Sequence, residues 1–164
     1  MNQPAMPPAR RRRQARLMRV ANVPMRRLLR LPFRTPLSGR LMLLTFTGRK
    51  TGRVYRQPVS YVPDGDTLLT PAGGRWKLNL CEGQAIQVRL RGREVLARPE
   101  FIRDVDQVER LLHTITAANP RAASFIPVIG RAGQIDRDRL QAAVDYGFAI
   151  IRWHIDQAPS RRRS

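Results

Sequence analysis

The sequence is poor in cysteine, histidine, lysine, acids and aromatic rings, and each shortage excludes something. Cys81 is the only cysteine, so no disulfide forms within the chain. With His113 and His154 the only histidines, a Cys/His zinc site is excluded as well. No apolar run approaches the roughly 18 residues of a membrane-spanning helix. The opening "ARRRRQARLMRV" has the basic region of a secretion signal, but no uninterrupted apolar stretch follows it. A cytoplasmic chain is therefore expected. No glycine fingerprint follows a strand and no P-loop occurs, which removes the Rossmann and P-loop NTPase readings. No hydrolase triad can be assembled from the residues available. Aromatic residues make up 6% of the chain, too few for the stacking platform of a nucleic-acid recognition sheet.

What is abundant is arginine. Lys+Arg is 31 against 12 Asp+Glu, a formal net charge of +19. Lys50 and Lys77 are the only lysines, and no acid occurs before Asp64. The planar arginine fork suits phosphates and carboxylates, so an anionic partner is expected. GC-rich coding accounts for part of the same bias. Hydrophobic residues make up 42%, enough for the core of one domain in 164 residues.

Four regions follow from patterning. Residues 1–9 are a proline-rich, disordered lead and 157–164 a disordered basic tail. Residues 10–36 form a basic amphipathic helical region, with Leu17, Val20, Ala21, Leu28 and Leu31 at helical spacing and a kink at Pro24. Such a helix either caps its own domain or lies on an anionic membrane surface. Residues 37–156 form the main domain. Strands are expected at 41–47, 54–62, 67–72, 84–91, 94–102 and 148–155, and Pro58 marks the second as an edge or a bulge. Turns are expected at 63–66 and at Gly92-Arg93. Helices are expected over 104–119, capped by Asp104, and over 137–147, ending at Gly147. Short turns join the strands, so the reading is an α+β domain whose antiparallel sheet curls into a barrel.

Two stretches carry the chemistry. "LTFTGRKTGR" (44–53) puts fixed cations, a hydroxyl and two glycines into one tight turn. Phosphate is held by such groups together with backbone N–H donors that point inward. The bland alternative is a solvated hairpin whose charges discourage aggregation. "TPAGGRWKLNL" (70–80) offers close backbone approach at Gly73 and Gly74 and a flat face at Trp76. Asn79 shares a face with Trp76 if one helical turn spans them. The alternative is that Trp76, Leu78 and Leu80 pack into the core.

These stretches, with "QPVSYVPDGDTLL" between them and "VRLRGR" after, resemble the deazaflavin-dependent nitroreductase family within the split β-barrel flavin/deazaflavin oxidoreductases. The resemblance covers residues 40–103 well and the basic helix more loosely. It implies an antiparallel split barrel that binds coenzyme F-420, with FMN as the alternative cofactor. F-420 carries a phosphodiester and a string of glutamates. The resemblance gives Arg49, Lys50, Thr51 and Arg53 to the phosphate and acidic tail, and Arg56, Pro58 and Val59 to the side of the ring system. Thr70, Ala72, Gly73 and Gly74 would line the ring, and Trp76 and Asn79 match the family's Trp-x-x-Asn-Leu element beside it. The implied activity is hydride transfer between the deazaflavin and a small acceptor: a quinone, an activated alkene or a nitroaromatic. The sequence departs from the family pattern in two places. Only Arg75 separates Gly74 from Trp76, and the tyrosine-rich segment that closes over substrate in some members is not evident. Ser124 and Phe125 stand about where it would be.

Two other readings stay open. One is a non-catalytic split-barrel carrier of a lipid, tetrapyrrole or flavin. The other is a basic binder of membrane surfaces or nucleic acid, with nucleic acid the weaker partner. A homodimer and a peripheral membrane contact through the N-terminal helix are also open. No residue stands out as an acid or base; solvent, Ser60 or Tyr61 could supply the product's proton, and His113 and Cys81 read as structural.

Overall fold

The computed structural model describes residues 40–126, 128–130 and 133–156. The lead, the basic helical region and the tail lie outside the described residues. Seven strands run as β1 (Leu41–Thr47), β2 (Val54–Ser60), β3 (Val62–Asp64), β4 (Thr67–Ala72), β5 (Ile86–Leu90), β6 (Arg93–Ile102) and β7 (Ala149–Ile155). A 3-10 turn (Arg75–Asn79) follows β4. Helix α1 (Val105–Ala118), a second 3-10 turn (Pro120–Phe125) and helix α2 (Arg137–Asp145) lie between β6 and β7.

Every pairing is antiparallel, in the order β2-β1-β5-β6-β7-β4-β3. That order carries the architecture. β2 and β3 are separated by one residue, Tyr61, yet they form the two edges of the sheet. The sheet must curl until its edges meet, which makes it a split barrel of the α+β class. The single strand expected over 54–62 is thus two strands, and Tyr61 is the corner. Its N–H donates to the Arg40 carbonyl at 3.0 Å, and its buried phenol accepts from Arg91 Nε at 3.2 Å. Pro58 sits on an edge strand, where its missing N–H costs nothing.

Two turns shift by a residue or two from their expected places. The hairpin between β5 and β6 turns at Arg91 (φ 50°) and Gly92 (φ 78°), one residue earlier than expected. Positive φ at both central residues is the pattern whose twist matches the flanking strands. Pro63 and Asp64 belong to β3, and the next turn is Gly65-Asp66 alone.

Alternation along the central strands makes two cores. Met42, Leu44, Phe46, Leu68, Val88, Ile151 and Trp153 fill the barrel. Leu69 and Ile150 point the other way, against Val108, Leu112, Ile115 and Leu140 of the helices. Thr70 is buried inside the barrel, where its Oγ1 accepts a hydrogen bond from Trp153 Nε1 at 3.1 Å. The helices begin at side-chain caps: Asp104 accepts from Gln107 N at 2.9 Å and Asp136 from Arg139 N at 3.1 Å. Arg137 of α2 binds both Asp106 and Glu109 of α1.

Candidate active site

The basic turn closes β1 to β2 on its own backbone. Gly48 N donates to Arg53 O at 2.7 Å, and Thr51 N and Gly52 N donate to Gly48 O at 3.2 and 2.8 Å. Arg53 N reaches Thr51 Oγ1 at 3.4 Å, and Arg49 N reaches Asn79 Oδ1 at 3.2 Å. Of the backbone donors in residues 48–53, only Lys50 N–H has no partner among the described residues. A cradle of inward N–H groups is therefore not what this turn offers. Its donors are side chains: the Arg49 and Arg53 guanidiniums, the Lys50 ammonium and the Thr51 hydroxyl, which lies 3.1 Å from Tyr55 Oη. Gly48 is needed here for space. A Cβ on it would stand 2.4 Å from the Tyr55 ring.

The second stretch folds as the 3-10 turn Arg75–Asn79, so Trp76 and Asn79 fall on one face as their spacing implied. Asn79 staples the two stretches together. Its amide donates to Trp76 O at 3.1 Å while its oxygen accepts from Arg49 N. Gly74 makes room for the indole, since a Cβ there would lie 2.7 Å from Trp76 Cδ1. Trp76 is half-buried and packs against the barrel core. Leu80 is buried, whereas Leu78 is 48% exposed and belongs to the surface. Lys77 Nζ donates to Ala72 O at 2.6 Å. Burial, with the Arg103 charge second, pushes the Lys77 ammonium below the ordinary lysine range.

Two clefts meet at this turn. One, of about 350 Å³, is lined by the basic turn, Phe46, Tyr55, Gln57, Arg75, Trp76, Leu78 and Asn79. The other, of about 390 Å³, runs along Gly73, Gly74 and Lys77 to Phe101, Arg103 and Tyr146. They share Arg49, Arg75 and Leu78. Among the described residues Glu82 is the only acid lining either cleft, and it already faces Arg103 at 3.8 Å. The combined surface is strongly cationic, with flat rings in one wall. It fits a ligand that joins an anionic tail to a planar ring system.

Arg49, Lys50, Thr51, Gly73, Gly74, Trp76 and Asn79 come together at these clefts. Arg53 flanks the turn without lining either one. Arg56 and Pro58 face the other way. They pair with Thr45 and Leu43, and Arg56 lines a separate groove with Gln87, Arg89 and Glu94. Val59 is on the cleft side of β2 but is buried in the barrel. Thr70 and Ala72 are fully interior, and Ala72 reaches the cleft region only through its carbonyl. The side chains of Ser124 and Phe125 lie outside what is described. Tyr55, Gln57 and Arg75 were not foreseen. Strand parity points to the first two, because Tyr55 and Gln57 alternate with the outward Arg56.

A model of the "F420H(2)-dependent quinone reductase" family matches residues 12–131, well over half of the chain. The chain belongs to that family. It is accordingly an oxidoreductase of the F-420-dependent class, in agreement with the resemblance carried by its two motifs. No curated protein matches it in sequence. Among solved structures it is similar to an F420-H2 dependent reductase (FDR-A), at 15% identity and TM-score 0.46, over 71% of this chain and 94% of that one. It is also similar to a FAD-binding protein from Mesorhizobium loti, at 13% and 0.43, over 75% and 91%. A third is HutZ, the heme storage protein from Vibrio cholerae, at 9% and 0.36, over 83% and 91%. At such values nothing about ligand or chemistry follows from these three. Among the described residues of this F-420-dependent family member, no group of three His, Cys, Asp or Glu side chains converges as metal ligands. No described helix is long and apolar enough to cross a membrane.

Proposed function

We propose that this protein reduces quinones with reduced F-420, and that the coenzyme lies across the two joined clefts. The phosphodiester and glutamate tail meet Arg49, Lys50, Thr51 and Arg75. Trp76 and the Gly73-Gly74 backbone would hold the ring. The observation that carries this reading is the Arg49 N to Asn79 Oδ1 hydrogen bond. It binds "GRKTGR" and "WKLN" into one wall, with cations at one end and a flat indole beside them.

Bound in its reduced form, the coenzyme supplies the hydride. The protein's own residues bind, orient and shield. Fixed cations neutralise the tail, and charge-assisted hydrogen bonds to them are worth about 1.5–3 kcal/mol each. Asn79 holds Arg49 and Trp76 in register, so the ring is presented in one orientation. Trp76 and Tyr55 cover apolar surface and keep water from the reacting face. Quinone as acceptor rests on the family description. An assay with reduced F-420 and a soluble quinone tests it, with a nitroaromatic and an activated alkene in parallel. Return of the oxidised coenzyme's absorbance with quinone, several-fold faster than with the others, supports the reading. Coenzyme binding without turnover on any acceptor makes the protein a carrier and overturns it.

A further inference from the structure

We propose that Lys77 is the proton donor to the acceptor after hydride transfer. The inference rests on the quinone-reductase reading. A quinone takes a hydride from the reduced coenzyme and is left with a negative oxygen. One proton on that oxygen completes the quinol. Having given up the hydride, the coenzyme ring would release its own N–H proton to solvent; Lys77 is left as a neutral amine, and solvent reprotonates it.

The chain uses arginine for all but two of its cations, and arginine does not release a proton under these conditions. Of the two lysines, Lys50 lies in the basic turn and Lys77 in the other cleft, beside Gly73 and Gly74. The Ala72 carbonyl takes one of the three ammonium protons at 2.6 Å and fixes the group there. Two protons remain for an acceptor. Among the described residues no carboxylate pairs with Lys77. Arg49, Arg75 and Arg103 line the same cleft, and the one acid among its described lining residues, Glu82, is engaged by Arg103 at 3.8 Å and by Phe101 N at 3.3 Å. Burial and the neighbouring Arg103 therefore act unopposed, and the ammonium sits below the ordinary lysine range. That moves it toward the neutral pH at which a general acid works best.

Of the other candidates, Tyr55 lines the first cleft and not the one that holds Lys77, and its hydroxyl is engaged by Thr51 Oγ1 at 3.1 Å. Tyr61 is buried at the barrel corner with Arg91, and neither Ser60, His113 nor Cys81 lines either cleft. Tyr146 stands at the cleft rim but is 95% exposed, away from the shielded floor where Lys77 lies.

Lysine-labelled protein tests this directly, because two lysines give two ε-methylene resonances. The account expects one to titrate below the ordinary lysine range and to vanish in Lys77→Arg. In quinone reduction, Lys77→Arg keeps the charge and the link to Ala72 but cannot give up a proton. Coenzyme affinity should stay near wild type while turnover falls by about 10²-fold. The wild-type decline in rate at alkaline pH should disappear with it. Lys77→Met separates charge from proton supply, since it should lose both affinity and turnover. The proposal is overturned if Lys77→Arg keeps the wild-type rate and alkaline limb, or if both lysines titrate normally. Failure of the wild type itself to reduce quinone, despite bound coenzyme, overturns the quinone reading and takes this proposal with it.

Discussion

Thr70, which the resemblance sets along the ring, hydrogen-bonds a buried indole. Among the described residues its hydroxyl is the one hydrogen-bond partner of Trp153 Nε1, deep in the barrel. Thr70→Val keeps the shape and leaves a buried donor unpaired, which should cost about 1–3 kcal/mol in denaturant melts. Gly74→Ala acts on the site instead. Its new Cβ would press on the Trp76 indole at 2.7 Å and must displace it. A shifted tryptophan emission and a weaker coenzyme titration are expected, with melting little changed. Residue types were legible in the sequence, but directions were not. The resemblance sets Arg56, Pro58 and Val59 together along the ring system, whereas a strand sends neighbours to opposite faces. The buried fate of Thr70 depends on a tryptophan 83 residues away, which no local pattern reveals.

Element by element, the chain was more readable. The helices and most strands follow from periodicity and caps, because each has one buried face to advertise. The 54–62 run misled because its break at Tyr61 carries no glycine or proline. Only the closure of the sheet decides that the run must change edges there. The α1–α2 clamp was likewise invisible, since Arg137 meets Asp106 and Glu109 across 31 and 28 residues. The Arg137 guanidinium holds the Asp106 carboxyl below the ordinary carboxylate range. A carboxyl depressed in the folded state adds stability above its unfolded value, and that contribution is lost as pH falls through the lowered one. Arg137→Ala should therefore be modestly less stable than wild type at neutral pH, with the gap closing in acid. Both partners are exposed, so the effect is small and salt weakens it. Urea midpoints measured across pH check the sign.

For the whole molecule, a net charge of +19 and a two-motif cleft converge on one kind of ligand. The fold brings the motifs together by curling one sheet until its edges share a corner. Cations on the scale of this chain draw an acidic coenzyme from a distance, and salt shortens that reach from about 8 Å at physiological strength to about 3 Å at 1 M. Affinity for F-420 should fall with salt more steeply than affinity for FMN, whose single phosphate offers fewer charges. The most direct test is a tryptophan-fluorescence titration with F-420 and FMN, on wild type and on Arg49→Ala combined with Lys50→Ala. The account predicts tight, salt-sensitive F-420 binding, preferred over FMN, weakened about 10²-fold in the double variant. Equal or tighter FMN binding, or F-420 binding indifferent to loss of both cations, would contradict it.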